Sequence, residues 1–429
     1  MKLIKVVKEA PTSFDIISPI QSQGKVMQKA QRAEAKEIIL KKISPLGVEK
    51  VTLESAFGRV LGSDIKAKFD IPEANKSAID GFTFDLDSVK SFPAKLKIVG
   101  ESRAGVAFKG EVKDGEAVFT MTGAVVPNGA NTAVRVEDVE IDGDFVIISK
   151  APKKWDLINR VGEEVKSSQK ILESGVRLDF KLVALLVNLG YYQIDVFSRP
   201  KVGIIITGDE VKEPWVDSNK AGVKNSNYYI LKGLLSEWAD IRYYGILQDE
   251  VESMVPVFEE ALRDNDILLS SGGASKGKYD FTKDIAAKLN LDIKFTSTNI
   301  KPGRPLIFAT KGEKLFFGLP GYPSALLTNA LEFLVPAIKK MAGVREFENK
   351  TFRAIAKESL KSKKKRVDFI RVKLENSNGK IFVKSAGTQQ TSNFLTLSFS
   401  DGLVIADEEI DKIDEGDIVE VLSFGGVIG

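Results

Sequence analysis

Residues 266–280 read DILLSSGGASKGKYD, a short apolar strand that breaks into a glycine-rich loop ending in a carboxylate. The unbroken run Ile267, Leu268 and Leu269 has no water-facing side, as expected of a strand covered on both faces. Gly272 and Gly273 then free the backbone to turn and leave amide N–H groups able to line an anion site. Outward from this stretch the same pattern repeats. Strands are expected at VGIIIT (202–207), DIRYYGIL (240–247), DILLS (266–270) and KLFFGL (314–319). Helices are expected between them, near 226–238, at 250–263 and near 281–289. A fourth, 324–341, keeps Leu327, Leu331, Leu334, Ile338 and Met341 on one stripe. Alternating strands and helices of this length make an open, mostly parallel three-layer α/β/α domain over 200–343.

The flanks read differently. Residues 1–24 show no sustained period and are expected to be an arm. Met27 to Ile43 and Leu178 to Leu189 are expected helices, the second ended by Gly190. With the short strands near Val51–Pro72 they suggest a mixed α+β domain of residues 25–85 and 151–199. Runs such as AVFTM and FVIIS place a small antiparallel β domain at 86–150, and short strands with turns place a C-terminal, barrel-like β domain at 344–429.

Composition narrows the chemistry. The chain has 429 residues with no histidine and no cysteine. Ser–His and Cys–His nucleophiles, Zn–His and Zn–Cys sites, thiol redox and Fe–S ligation are thereby excluded. What remains is carboxylates, lysine, arginine, hydroxyls, backbone amides and an oxygen-ligated cation such as Mg²⁺. A formal net charge of +3 is too small to argue for nucleic acid. No stretch reaches the roughly 20 apolar residues of a membrane span, and the start lacks the long apolar core of a secretory signal. A cytoplasmic location is expected.

Ligands of open parallel sheets bind outside the carboxyl ends of the strands. Three expected strands end there in acidic or glycine-rich loops, carrying Glu210, Asp249 and Asp280. IKPGRP (300–305) adds Lys301 and Arg304 around a Pro–Gly turn. Each piece alone has a plainer reading: Asp249 as a helix cap, the lysine and arginine as surface charges. Together they describe carboxylates able to hold Mg²⁺ beside cations and amides facing an anion.

The chain also resembles the molybdopterin molybdenumtransferases, the MoeA-like proteins that include the E domain of gephyrin. The resemblance covers about residues 29–425 and rests on motifs in order. These are IPEANKSAIDGF (71–82), MTGAVVPNGANTAVRVE (121–137), INRVGEEV (158–165), ITGDEV (206–211), SSGGASKGKYDFTK (270–283), IKPGRP, GLPGYPSA (318–325) and VDFIRV (367–372). It implies a reaction in which adenylylated molybdopterin and molybdate react with Mg²⁺, molybdenum enters the dithiolene and AMP leaves. Asp249 and Asp280 are then implied as Mg²⁺ ligands, with Glu210 orienting that shell or a water. Ser275, Lys301 and the Pro302 turn are implied as contacts of phosphate and oxyanion. Arg371 and Ser392 are implied to reach in from the C-terminal domain. Asp80 and Thr122 are implied to enter from the partner subunit of a homodimer. Other cofactor-biosynthesis proteins and recipient molybdoenzymes are implied partners.

Departures from the family pattern are also visible. Lys276 and Lys278 stand where valine and aspartate are usual, Ser297 where a basic residue is frequent, and Tyr322 where GLPGNP has asparagine. The charge absent at Ser297 is expected to come from Lys276 or Lys278. Two rival readings remain: a molybdopterin adenylyltransferase sharing the 200–342 type of domain, and a pterin-binding scaffold without turnover.

Overall fold

The computed structural model describes residues 27–217, 222–272 and 281–424. They fall into two units, one of residues 27–44, 199–341 and 347–424, the other of 45–198 and 342–346. The expected arm, 1–24, lies outside the described residues.

Helix α1 (Arg32–Lys41) starts five residues later than its apolar spacing suggests. The cause is local. Ser297 Oγ donates to the Gln28 carbonyl at 2.7 Å and the Ala30 N–H donates to the Ser297 carbonyl at 2.9 Å, holding 27–30 alongside the sheet. The helix groups with the α/β unit, not with the 25–85 segment in which the sequence places it.

The 45–198 unit contains a six-stranded sheet. Its strands are β1 (Gly81–Phe84), β2 (Ala94–Ser102), β3 (Glu116–Thr120), β4 (Thr132–Arg135), β5 (Val139–Asp142) and β6 (Phe145–Ile148). The order is β4-β1-β3-β2-β6-β5. Two expectations are corrected: the sheet starts at Gly81, before residue 86, and it is mixed, because β2 and β3 run parallel. Helix α2 (Phe180–Asn188) is capped by Asp179, whose carboxylate accepts the Lys181 and Leu182 N–H groups, and buries Val183 and Leu186.

The other unit holds the strand–helix alternation. Its elements are β7 (Lys201–Thr207), α3 (Asn227–Leu235), β8 (Asp240–Leu247), α4 (Val251–Asp264), β9 (Ile267–Ser271) and α5 (Phe281–Lys288). They continue with β10 (Asp292–Ser297), β11 (Pro305–Lys311), β12 (Lys314–Leu319), α6 (Pro323–Asn329) and α7 (Val335–Met341). A π-helical turn, Ala330–Leu334, joins the last two helices. The sheet order is β8-β7-β9-β12-β11-β10. The first four strands are parallel; β11 and β10, which the sequence reading does not name, continue the sheet antiparallel. Ile204, Ile205, Leu268, Leu269, Phe316 and Phe317 are fully buried, which accounts for the continuous apolar runs.

The C-terminal strands β13 (Thr351–Ala356), β14 (Val367–Ser377), β15 (Lys380–Ser385), β16 (Gly402–Ala406) and β17 (Ile418–Ser423) close into a five-stranded barrel. Closure comes from β14 pairing with both β15 and β16. Helix α8 (Phe394–Ser398) lies between β15 and β16 in sequence. Among the described residues no helix is long and apolar enough to cross a membrane.

Candidate active site

Register fixes where the polar loops emerge. Thr207 pairs with Leu247, Ile206 with Ser271, and Ser271 with Leu319, so four parallel strands end on one edge. Strand β11 runs the other way, with Ile307 opposite Gly318, so its start, and the IKPGRP turn before it, lie on that same edge. From β8 to β11 is four strand steps, about 19 Å at ~4.8 Å per step. The carboxylates and the Lys301 turn therefore form two poles of one edge.

The acidic pole is built by the loop after β7. Gly208 has φ +136°, and a Cβ there would come within 3.0 Å of Glu210 Oε2. The Asp249 N–H donates to Asp209 Oδ1 at 3.1 Å. Asp249 Oδ1 is buried without a hydrogen-bond partner. Burial first, then the charges of Asp209 and Glu210, push the Asp249 carboxyl above the usual aspartate range. Among the described residues none of these three has an ion-pair partner. A half-buried carboxylate whose charge is disfavoured by burial and by two neighbouring carboxylates gains most from a hard divalent cation, and the all-oxygen donor set matches Mg²⁺. Asp209, Glu210 and Asp249 do not themselves close on one metal position, since no group of three acidic side chains does so among the described residues. Asp280, the third expected carboxylate, lies outside them.

The loop is held by residues the sequence did not single out. The Val223 N–H donates to the Glu210 carbonyl at 2.8 Å, where Val211–Lys212 and Val223–Lys224 pair. Tyr243 on β8 donates to Glu213 Oε1 at 2.6 Å, accepts from Asn225 Nδ2 at 2.8 Å, and stacks on Tyr228 with centroids 4.0 Å apart. Burial, reinforced by the Glu213 carboxylate, pushes the Tyr243 phenol far up, so it remains a donor.

Between the poles the backbones approach closely. Gly272 has φ +110°, and a Cβ there would sit 2.3 Å from the Thr207 carbonyl oxygen, so only glycine fits. Asn227, at the start of α3, donates to Ser271 Oγ at 2.8 Å and to the Gly321 carbonyl at 2.7 Å. Gly273, Ser275, Lys276 and Lys278 lie outside the described residues.

At the basic pole Lys301 and Arg304 are exposed on either side of Gly303, whose φ is +119°. Ile300–Lys301 pairs with Val367–Asp368 of β14, tying the turn to the barrel. Arg371 departs from the expectation that it faces ligand. It is 2% exposed, and its guanidinium donates to Ser324 Oγ at 2.5 Å and to the carbonyls of Thr388 and Gln390 at 3.0 and 2.9 Å. With these donors engaged internally, Arg371 binds the α6 start to the barrel; burial alone pushes its guanidinium pKa down. Ser392 is exposed in the turn before α8. Ser297 is buried and committed to Gln28, so it does not face the turn. Tyr322 stands exposed at the N-cap of α6.

In the other unit, Asp80 and Thr122 come together. The Thr122 N–H and Oγ1 donate to Asp80 Oδ1 at 2.7 and 2.9 Å. These two bonds hold the exposed Asp80 carboxyl below the usual range. Gly81 follows because any Cβ there would strike the Val134 carbonyl at 1.9 Å.

Similarity to known proteins spans nearly the whole chain. Residues 30–190 match the MoeA N-terminal region (domain I and II), 203–340 a probable molybdopterin binding domain, and 353–424 the MoeA C-terminal region (domain IV). A molybdopterin molybdenumtransferase of Haemophilus influenzae is 31% identical over 389 residues, spanning 90% of this chain and 96% of the relative. One from Nostoc sp. is 29% identical, spanning 83% and 84%. A crystal structure of the molybdopterin biosynthesis MoeA protein from Pyrococcus horikoshii superposes with a TM-score of 0.81 at 29% identity, covering 93% of this chain and all of that one.

Proposed function

Since the chain belongs to the MoeA family of molybdopterin molybdenumtransferases, we propose that the two-pole sheet edge is where it performs that transfer. The protein is a transferase of molybdenum cofactor biosynthesis. The finer reading is that adenylylated molybdopterin lies along the edge, molybdate meets the basic pole, and AMP is released with Mg²⁺. The observation that carries it is the buried, unpartnered Asp249 Oδ1 on the same edge as the Lys301–Arg304 turn.

In this reading Asp249 and Glu210, with Asp280, would hold Mg²⁺, which when bound neutralises phosphoanhydride charge and polarises its phosphorus. Glu210 orients a water toward that phosphorus. Amides of the Gly272–Gly273 loop and the Ser275 hydroxyl bind phosphate oxygens. Lys301, beside Pro302, and Arg304 hold the tetrahedral oxyanion, with Ser392 at the barrel's side of the pole. Arg371 fixes the α6 start against the barrel. Asp80, kept ionised by Thr122, enters from the partner subunit of a homodimer. The location is cytoplasmic, and the product passes to recipient molybdoenzymes, directly or through other cofactor-biosynthesis proteins.

The test is AMP release from adenylylated molybdopterin on adding molybdate and Mg²⁺. Cation-dependent AMP release is expected. ATP consumption with bare molybdopterin, or binding without AMP release, would overturn the reading in favour of an adenylyltransferase or a scaffold.

A further inference from the structure

We infer that Asn329 is a positioning residue for the oxyanion-binding turn, holding Lys301 and Arg304 in place from inside the protein. The inference rests on the reading of that turn given above. The turn closes at its base, where the Thr298 N–H donates to the Arg304 carbonyl at 2.8 Å, but toward its tip Pro302 and Pro305 have no N–H to donate. The carbonyls there need donors from elsewhere. Asn329, fully buried at the end of α6, supplies them: its Nδ2 lies 2.9 Å from the Gly303 carbonyl, 3.3 Å from that of Pro305 and 3.1 Å from that of Ala325. Carbonyl oxygens only accept, so these three neighbours fix which way the amide points.

The other end of the amide is costly. Asn329 Oδ1 is buried with no hydrogen-bond partner. An apolar side chain would fill this position without that penalty, so the amide is retained for its donors. The fit is tight from the other side too. A Cβ at Gly303 would lie 2.9 Å from Asn329 Nδ2 and 3.3 Å from the Ala325 carbonyl. The helix is anchored at both ends of this contact. Ser324, in the first turn, accepts from Arg371. Just beyond Asn329 the π-helical turn places Glu332 against Arg32 of α1, at 2.8 Å. The turn is thus set by a helix that is itself clamped.

The experiment compares Asn329→Ala, Asn329→Asp and Gly303→Ala with Lys301→Ala in the full-length protein, following AMP release against molybdate concentration. Asn329→Asp keeps the volume and removes both donor hydrogens; Gly303→Ala presses on the same contact from the turn. All three are expected to raise the KM for molybdate about tenfold with a smaller change in kcat, and circular dichroism reports the folded fraction. A purely structural role predicts a lower melting temperature and less active protein at unchanged KM; that result overturns the inference. If Lys301→Ala leaves the molybdate KM unchanged, the assignment of the turn itself fails instead.

Discussion

Asp249 shows how far a single residue can be read. Its place at a strand end is legible, because the apolar run before it stops at Leu247. Its partnerless oxygen is not, since burial is set by the Asp209 loop folding over it. Its raised pKa has a consequence for stability. A carboxyl raised on folding contributes stability that is full below its unfolded value, near 3.9, and is lost as pH rises through the folded value. At neutral pH the protein therefore carries the cost of an ionised Asp249. Asn at this position is expected to raise the melting temperature by about 2 °C at pH 7.5 without divalent cation, a gain that vanishes toward pH 4, while activity falls on the order of 100-fold. Thermal scans at the two pH values, paired with AMP release, check both halves. Arg371 teaches the opposite lesson. Its motif marks it, but only tertiary packing shows that its terminal nitrogens donate to Ser324, Thr388 and Gln390 while Nε is buried without a partner.

At the scale of elements, the helix expected over 324–341 is legible from its leucine stripe, and its polar interruptions mark the contacts it makes. Asn329 and Glu332 sit inside LLTNALEFL, where an apolar helix has little reason for either. Asn329, the last residue of α6, reaches the Gly303 carbonyl, and Glu332, within the π-helical turn that follows, reaches Arg32 of α1. Glu332, with a side chain only 4% exposed, receives Arg32 through two nitrogens and lies 3.7 Å from Lys36. Removing one partner of such a pair strands a buried charge. Arg32→Met is expected to cost about 3 kcal/mol in chemical denaturation, and pairing it with Glu332→Gln to restore most of that. Strands β10 and β11 are not among the expected strands, although DIKFTS alternates and PLIFATK is a continuous apolar run, because the proline-rich turn between them breaks the strand–helix alternation.

For the whole molecule, the order of strands and helices in 200–343 follows from periodicity, but the separation of the poles does not. It depends on β9 and β12 lying between the strands of the Asp209–Glu210 and Asp249 loops and strand β11, which carries the Lys301 turn, a matter of sheet order. Barrel closure is equally hidden, since it rests on β14 finding two partners. The Asp80–Thr122 pair belongs to a different unit from both poles, and the proposed homodimer brings it in from the partner subunit. Co-assembled chains carrying Asp80→Ala and Asp249→Asn are then expected to recover about a quarter of wild-type activity, from random pairing into two-fold dimers with one intact cleft in each mixed pair. Activity no higher than either variant alone would mean that each cleft is made by one chain.

The central claim is that one edge divides its labour between a cation pole and an oxyanion pole. AMP release measured against Mg²⁺ and, separately, against molybdate tests it most directly. Asp249→Asn should shift the Mg²⁺ dependence and leave the molybdate dependence in place, and Lys301→Ala should do the reverse. Identical shifts from both substitutions, or none from either, would contradict the account.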